Sequence, residues 1–175
     1  DKEARLRGNS TYLPDRAIPM LPEALSNGLC SLKPDEDRAC LYADMTFNEE
    51  GKRIKSIFGR GLMQSRFRLT YDQAFELSKS DDGSPEGIAV RRLYEAYACL
   101  KQARDARSPL ELDLPERMVA FDDANRPTAM KLRTSLSSHQ LIEEYMIQAN
   151  AAAAEILLKK KASALYRVHD RPDPE

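Results

Sequence analysis

Tryptophan is absent from the 175-residue sequence, glycine occurs only 7 times, and the 27 Lys and Arg residues are matched by 28 Asp and Glu. This balance removes the global basic excess that often marks a nucleic-acid binder, so any affinity for phosphates has to be local. Cysteine is scarce and odd in number: Cys30, Cys40 and Cys99 lie far apart, with no CxxC pair and only His139 and His169 as imidazole partners. This argues against a disulfide framework and zinc-ligand spacing, and reduced thiols in a cytoplasmic protein are the better reading. No run of about 18 apolar residues is present to span a bilayer, and the charged opening Asp1-Lys2-Glu3 is unlike a secretory signal, so no membrane partner is expected. Phosphate-loop, HExxH, GxSxG and GxGxxG patterns are all missing, which removes the commonest nucleotide-binding, zinc-protease and hydrolase readings. The start at Asp1 without an initiating Met and the end at Asp173-Pro174-Glu175 fit an excised segment of a longer protein.

What remains is 42% apolar and 31% charged, ordinary for one globular domain with a core. Pro14, Pro19, Pro22 and Pro34, with Gly28, deny residues 11–34 a long helix and predict an irregular, packed loop. From Ala39 the pattern alternates: Leu41, Ala43, Met45 and Phe47 share one face, and Cys40, Tyr42, Asp44 and Thr46 the other, which is the period of a strand. Asn48-Glu49-Glu50-Gly51 reads as a hairpin turn. The return strand is predicted over Lys52 to Met63, with Ile54 and Phe58 facing one core, a bulge invited at Gly59 and Gly61, and Arg66 to Tyr71 continuing the sheet. A short helix is expected from Tyr71 to Lys79, then a longer one from near Glu86 whose stripe Val90, Leu93, Tyr94, Tyr97 and Leu100 forms core. Short strands follow around Leu110–Leu114, Met118–Phe121 and Ala129–Arg133.

The strongest element is the last helix. Ser137 stands three residues before Gln140, a capping-box spacing, and Lys159-Lys160-Lys161 suits the negative end of the helix dipole. At about 100° per residue, Leu141, Ile142, Tyr145, Met146, Ala149, Ile156 and Leu157 cover one broad face, with Glu143 and Asn150 at its edge. Such an edge serves either as a solvated flank or as the wall of a cleft.

Three features could carry chemistry. Between Gly51 and Tyr71 lie six basic residues (Lys52, Arg53, Lys55, Arg60, Arg66, Arg68) without an acid, interleaved with Phe58 and Phe67. They could track phosphates, or protect a solvated hairpin edge. Of the seven tyrosines, Tyr12 in the proline-rich loop and Tyr71 at a strand-to-helix junction are the exposed candidates; each could stack a base or anchor its own loop. Asp35-Glu36-Asp37, Asp81-Asp82 and Asp122-Asp123 sit among turn residues and are read as turns, not as the converging carboxylates that two-metal chemistry needs.

A longer pattern then becomes decisive. Ile18-Pro19-Met20-Leu21-Pro22-Glu23, continuing Leu25-Ser26-Asn27-Gly28-Leu29-Cys30-Ser31-Leu32 and Asp37-Arg38, resembles a signature of the ribonuclease II/ribonuclease R (RNB) family. Collinear matches are Arg7-Gly8 with Tyr12-Leu13-Pro14, Arg68-Leu69-Thr70-Tyr71, Leu141-Ile142-Glu143-Glu144 through Met146 to Ala149-Asn150, and Tyr166-Arg167-Val168-His169-Asp170. Asn27-Gly28-Leu29 and Arg167-Val168-His169 are similar to the bacterial ribonuclease R branch.

The resemblance implies an α+β domain fragment, a mixed β-sheet with packed helices, over residues 1–175 as the central part of one RNB-like catalytic domain. It implies that the parent protein is a processive 3′-to-5′ hydrolytic exoribonuclease acting on single-stranded RNA ends, releasing nucleoside 5′-monophosphates with magnesium, cytoplasmic and monomeric. The family's four metal-binding aspartates, D-x5-D-x-D-D, are expected upstream of this chain, and its S-P-I-R-R/K-Y segment and oligonucleotide-binding barrels also fall outside it. Asp122-Asp123-Ala124 imitates the tail of the aspartate motif, but Leu114 and Ala120 occupy its two earlier positions. The 175-residue chain is therefore expected to be inactive alone and to hold no metal. By position, Tyr12 matches the tyrosine that holds the 3′-terminal nucleotide, Tyr71 a tyrosine contacting RNA nearby, and Glu143 a glutamate that recognises ribose. The family's aromatic wall falls near Leu112 or Asp113, where this chain has no aromatic residue. The alternative is a noncatalytic RNA-binding module that uses the Lys52 to Arg68 stretch as a phosphate track.

Overall fold

The computed structural model describes residues 2–81, 83–107, 116–166 and 168; the strand expected over 110–114 lies outside them, as do Asp82, Arg167, His169 and Asp170. The chain opens with a short helix, α1 (Lys2–Arg7), tied to the following loop because Arg7 donates to the Pro19 carbonyl at 2.7 Å. The proline-rich stretch is irregular, as its composition demands. It contains only a two-residue pair, β1 (Thr11–Tyr12) against β2 (Ala17–Ile18), and one π-type turn over Ala24–Leu29, in which Cys30 N–H reaches back to Leu25 O at 2.9 Å.

A long antiparallel hairpin follows, β3 (Asp37–Phe47) and β4 (Arg53–Gln64), paired from Asp37↔Gln64 to Phe47↔Arg53. Its turn closes as expected at Asn48–Gly51: Asn48 N–H donates to Lys52 O at 3.0 Å, and Asn48 Oδ1 accepts from Lys52 N–H at 2.8 Å. The bulge, however, is not at the glycines. Thr46 pairs with Lys55 and Phe47 with Arg53, so Ile54 is the extra residue, and its side chain is turned out rather than into the expected core (64% exposed). Gly59 and Gly61 serve the ring of Tyr42 instead; a Cβ at Gly59 would stand 2.5 Å from the Tyr42 hydroxyl. Nor does the sheet continue through Arg66 to Tyr71. Ser65 makes one parallel bridge to Pro34, and the chain then runs out to Thr70, which caps the next helix.

That helix, α2 (Tyr71–Lys79), has a complete capping box: Thr70 Oγ1 accepts from Gln73 N–H at 3.2 Å while Gln73 Oε1 accepts from Thr70 N–H at 2.8 Å. In α3 (Pro85–Asp105), Ser84 caps Gly87 N–H at 3.0 Å and Pro85 takes the first position, where no donor is needed. A second hairpin, β5 (Glu116–Phe121) with β6 (Pro127–Arg133), precedes α4 (Ser137–Lys159). The strands thus form three separate antiparallel pairs beside three packed helices, an α+β arrangement.

The dry core is small: Val90, Tyr97 and Leu100 of α3 against Leu141 and Ala152 of α4. Within α4 the buried seam is Ser138, Leu141, Glu144, Gln148 and Ala152, rotated from the broad apolar face that periodicity predicts. Ile142 (40% exposed), Met146 (59%) and Leu157 (39%) stay at the surface. The reason is complementarity across the helix pair: Tyr97 donates to Gln140 Oε1 at 3.2 Å, and Tyr145 donates to Leu93 O at 3.1 Å. Polar partners on α3 fix which side of α4 is covered. The cap also lies one residue earlier than expected. Leu136 is the N-cap, and its N–H donates to His139 Nδ1 at 3.1 Å, while Ser137 Oγ sits 3.2 Å from the Tyr94 hydroxyl. At the other end Ala162 N–H bonds Leu157 O and Lys161 N–H bonds Leu158 O, both at 3.0 Å, with Lys161 left-handed at φ 52°. This is a Schellman closure made without glycine.

Candidate functional site

Tyr71 is the first residue of α2, and two consecutive residues of α4 hold it from both ends. Ser138 Oγ donates to the Tyr71 carbonyl at 2.8 Å, and the His139 ring stacks on the Tyr71 ring with centroids 4.0 Å apart and planes 17° from parallel. Tyr71 keeps 40% of its surface exposed and lines a cavity of about 370 Å³ with Leu69, Val90, Leu93, Tyr94 and Ile142. The walls are mostly aliphatic, and the polar side chains among them are those of Thr70, Tyr71, Tyr94 and Ser138.

Glu143 is exposed and follows Ile142, a cavity residue, directly in α4. It also stands four residues after His139, one turn further along the same side of the helix. His139 thus stacks on Tyr71 and precedes Glu143 by one turn of α4. Asn150, the other residue expected at the helix edge, is exposed as well. Tyr12 is 81% exposed on β1, where Leu13 N–H closes the Pro14-Asp15 turn on Arg16 O at 2.8 Å. Of the three sequence-predicted residues only Tyr71 lines this cavity; Glu143 follows the lining residue Ile142 in α4, and Tyr12 lies on the separate β1–β2 pair. The stack of His139 on Tyr71 joins residues far apart in sequence, and no local pattern signals it.

The basic stretch does not form one stripe. Arg53 is committed inward, donating to Gln148 O at 2.9 Å and pairing with Glu155, and its side chain is only 12% exposed. Lys55 and Arg60, five residues apart on β4, point to opposite faces of the hairpin. Arg66 pairs with Asp35 at 3.6 Å. A continuous phosphate track from Lys52 to Arg68 is thus not what the hairpin presents. Near Arg53 lies Glu144, fully buried. Its Oε1 accepts from Gln148 Nε2 at 2.9 Å with Arg107 at 3.7 Å, and its Oε2 has no hydrogen-bond partner among the described residues. Burial also pushes the Tyr97 hydroxyl above its usual pKa, Lys101 and Arg104 opposing and Asp105 and Glu144 adding to the rise; burial alone does the same to Tyr145.

Of the clustered acids, Asp122 is held by its own turn and Glu36 and Asp35 by nearby arginines. Asp122 Oδ1 accepts from Ala124 N–H at 3.0 Å and Arg126 N–H at 2.9 Å, while Oδ2 takes the Arg126 guanidinium; these bonds, those from Arg126 first, hold its pKa below the usual carboxylate range. Glu36 is likewise held low by its hydrogen bond from Arg38. Among the described residues no three His, Cys, Asp or Glu side chains converge on one point. The described residues therefore offer no ligand set for the divalent metal, which the family resemblance assigns to aspartates outside this chain.

Three helices around a tyrosine-lined cavity, together with antiparallel strand pairs, define an α+β unit. The family model described as RNB domain matches residues 1–175, and the chain belongs to that family. Ribonuclease R of Vibrio cholerae is 41% identical over 180 residues, covering 100% of this chain and 22% of the relative. Ribonuclease R of Escherichia coli is 38% identical over 180 residues, with the same 100% and 22% coverage. The chain thus spans about a fifth of the length of these curated relatives. Among solved structures, Mycoplasma genitalium RNase R in complex with double-stranded RNA superposes with a TM-score of 0.88 at 29% identity, over 98% of this chain and 31% of that one. The same protein with ribose methylated single-stranded RNA gives 0.84 at 30% identity, over 98% and 28%. Among the described residues no helix is long and apolar enough to cross a membrane.

Proposed function

We propose that this chain is the central part of the catalytic domain of a cytoplasmic, processive 3′-to-5′ exoribonuclease that hydrolyses single-stranded RNA to nucleoside 5′-monophosphates. The observation that carries this reading is the 41% identity to a ribonuclease R along the whole chain. The relatives solved with RNA bound agree with RNA as the substrate. Magnesium, held by carboxylates outside these residues, would supply the activated water, and the 175-residue chain alone would not cleave RNA.

Within this reading the chain's own residues position the strand. Tyr12, projecting from a tight hairpin, stacks the 3′-terminal base; Tyr71 contacts RNA with the ring face that His139 leaves open; Glu143 accepts a hydrogen bond from a ribose 2′-hydroxyl. Tyr12→Ala in the full-length protein shifts the length of the limit product, and an unaltered length refutes the stacking role. Glu143→Ala lowers the preference for RNA over DNA; an unchanged ratio removes Glu143 from ribose recognition.

A further inference from the structure

The RNA roles above concern residues that point outward. His139 links two of the three elements that carry them: it belongs to α4, which bears Glu143, and stacks on Tyr71 at the start of α2. Its ring lies flat on Tyr71 at 4.0 Å, its own helix bears Glu143 one turn later, and the preceding residue, Ser138, is buried and bonded to the Tyr71 carbonyl at 2.8 Å. The imidazole is itself oriented, because Nδ1 accepts Leu136 N–H at 3.1 Å and so leaves the proton of the neutral ring on Nε2. A half-exposed tyrosine at the first position of a helix would ordinarily sample several rotamers, and a parallel ring on one face restricts it to one.

We infer that His139 is a positioning residue for RNA engagement: it fixes the Tyr71 ring against the N-terminal turn of α4, so that Tyr71 and Glu143 address the same stretch of strand. This rests on the reading of Tyr71 as an RNA contact. The imidazole does two separable things, stacking through its plane and capping through Nδ1. Only the stacking belongs to the inference, since the cap is a matter of helix stability.

Two substitutions separate them. His139→Phe keeps a flat ring over Tyr71 and loses the acceptor, whereas His139→Gln keeps an acceptor at the third helical position and loses the ring. The measurement is the Kd of the full-length protein for a fluorescent single-stranded oligoribonucleotide, taken by anisotropy with chelator present so that the strand stays intact. Tyr71→Ala provides the reference for the complete loss of the aromatic contact, about 5-fold to 150-fold in Kd for one stacked base. His139→Gln is expected to weaken binding most of the way to Tyr71→Ala and to add nothing when combined with it, while His139→Phe stays within about twofold of the unsubstituted protein. If Tyr71→Ala weakens binding but His139→Gln does not, the inference is overturned while the RNA role of Tyr71 stands. If Phe and Gln weaken binding equally, the cap and not the ring is responsible, and the inference is overturned. If Tyr71→Ala leaves Kd unchanged, the underlying reading of Tyr71 fails and the inference goes with it.

Discussion

Gly51 is where the long hairpin meets the helices, and replacing it tests whether that junction is built on a close approach or merely on an unusual dihedral. The residue has φ 71°, and a Cβ there would lie 2.3 Å from the Cys99 carbonyl oxygen and 2.9 Å from Ala103 Cβ. A left-handed alanine costs roughly 1 kcal/mol. The contact adds more, because a Cβ at 2.3 Å must move at least 0.7 Å to reach the shortest spacing real Cβ atoms make, and the obstacle is helix backbone rather than a side-chain tip. Overpacking of this kind costs about 1 to 3 kcal/mol, so Gly51→Ala should lose roughly 2 to 4 kcal/mol. The decisive partner is Gly51→Asn: asparagine tolerates the left-handed region, which removes most of the first cost and none of the second. Both variants should therefore be destabilised by more than about 1 kcal/mol, the alanine slightly more. The assay is urea unfolding followed by far-ultraviolet circular dichroism, with the midpoint shift converted through the denaturant slope. An asparagine variant as stable as the unsubstituted protein would show that the dihedral alone matters and would refute the close approach as the organising contact.

Other consequences are more local. Arg53→Lys removes the planar fork that joins Gln148 O to Glu155 and should lower stability by about 1 to 3 kcal/mol in the same unfolding assay. Tyr97 and Tyr145 have folded pKa values raised by burial above the ordinary 10.0, so their stabilising effect is complete below that pH and is lost as pH rises through the folded values. Thermal unfolding should therefore fall off above about pH 10, and Tyr97→Phe should flatten that decline. Lys161→Gly relieves a left-handed lysine at φ 52° and should stabilise the end of α4 by about 0.5 to 1 kcal/mol, read as a higher unfolding midpoint.

The elements that sequence reasoning located well are those whose signals are local. The expected starts near Tyr71 and Glu86 and the turn at Asn48 to Gly51 hold because Thr70 with Gln73, Ser84 with Pro85, and Asn48 each satisfy backbone groups within a few residues. What local pattern misses is set by neighbours distant in sequence. Ile54 becomes the bulged residue because Arg53 is drawn inward to Gln148 O at 2.9 Å, a partner 95 residues away, and the glycines suggested for the bulge are needed under the ring of Tyr42. The one-residue error in the α4 cap has the same origin. Ser137 has a cap's chemistry, but its hydroxyl stands within 3.2 Å of that of Tyr94 on α3, and the capping falls to His139.

The candidate site follows from the rotation of α4. Periodicity assigns the covered face of a helix to its most apolar stripe, which would have set Ile142 and Met146 inward and left Glu143 at their margin. Instead α3 supplies the Tyr97 hydroxyl to Gln140 and the Leu93 carbonyl to Tyr145, so the covered seam runs through Ser138, Leu141, Glu144 and Gln148. A buried glutamate with one oxygen lacking a hydrogen-bond partner among the described residues is an expensive residue to place in a helix seam. Its neighbour Glu143 is exposed as a direct result: on one helix, two consecutive carboxylates lie about 100° apart and cannot both enter the seam. The same seam buries Ser138, which places His139 next to it in position to receive the ring of Tyr71. The polar contacts between α3 and α4 thus decide which acid faces the solvent and which ring the tyrosine meets.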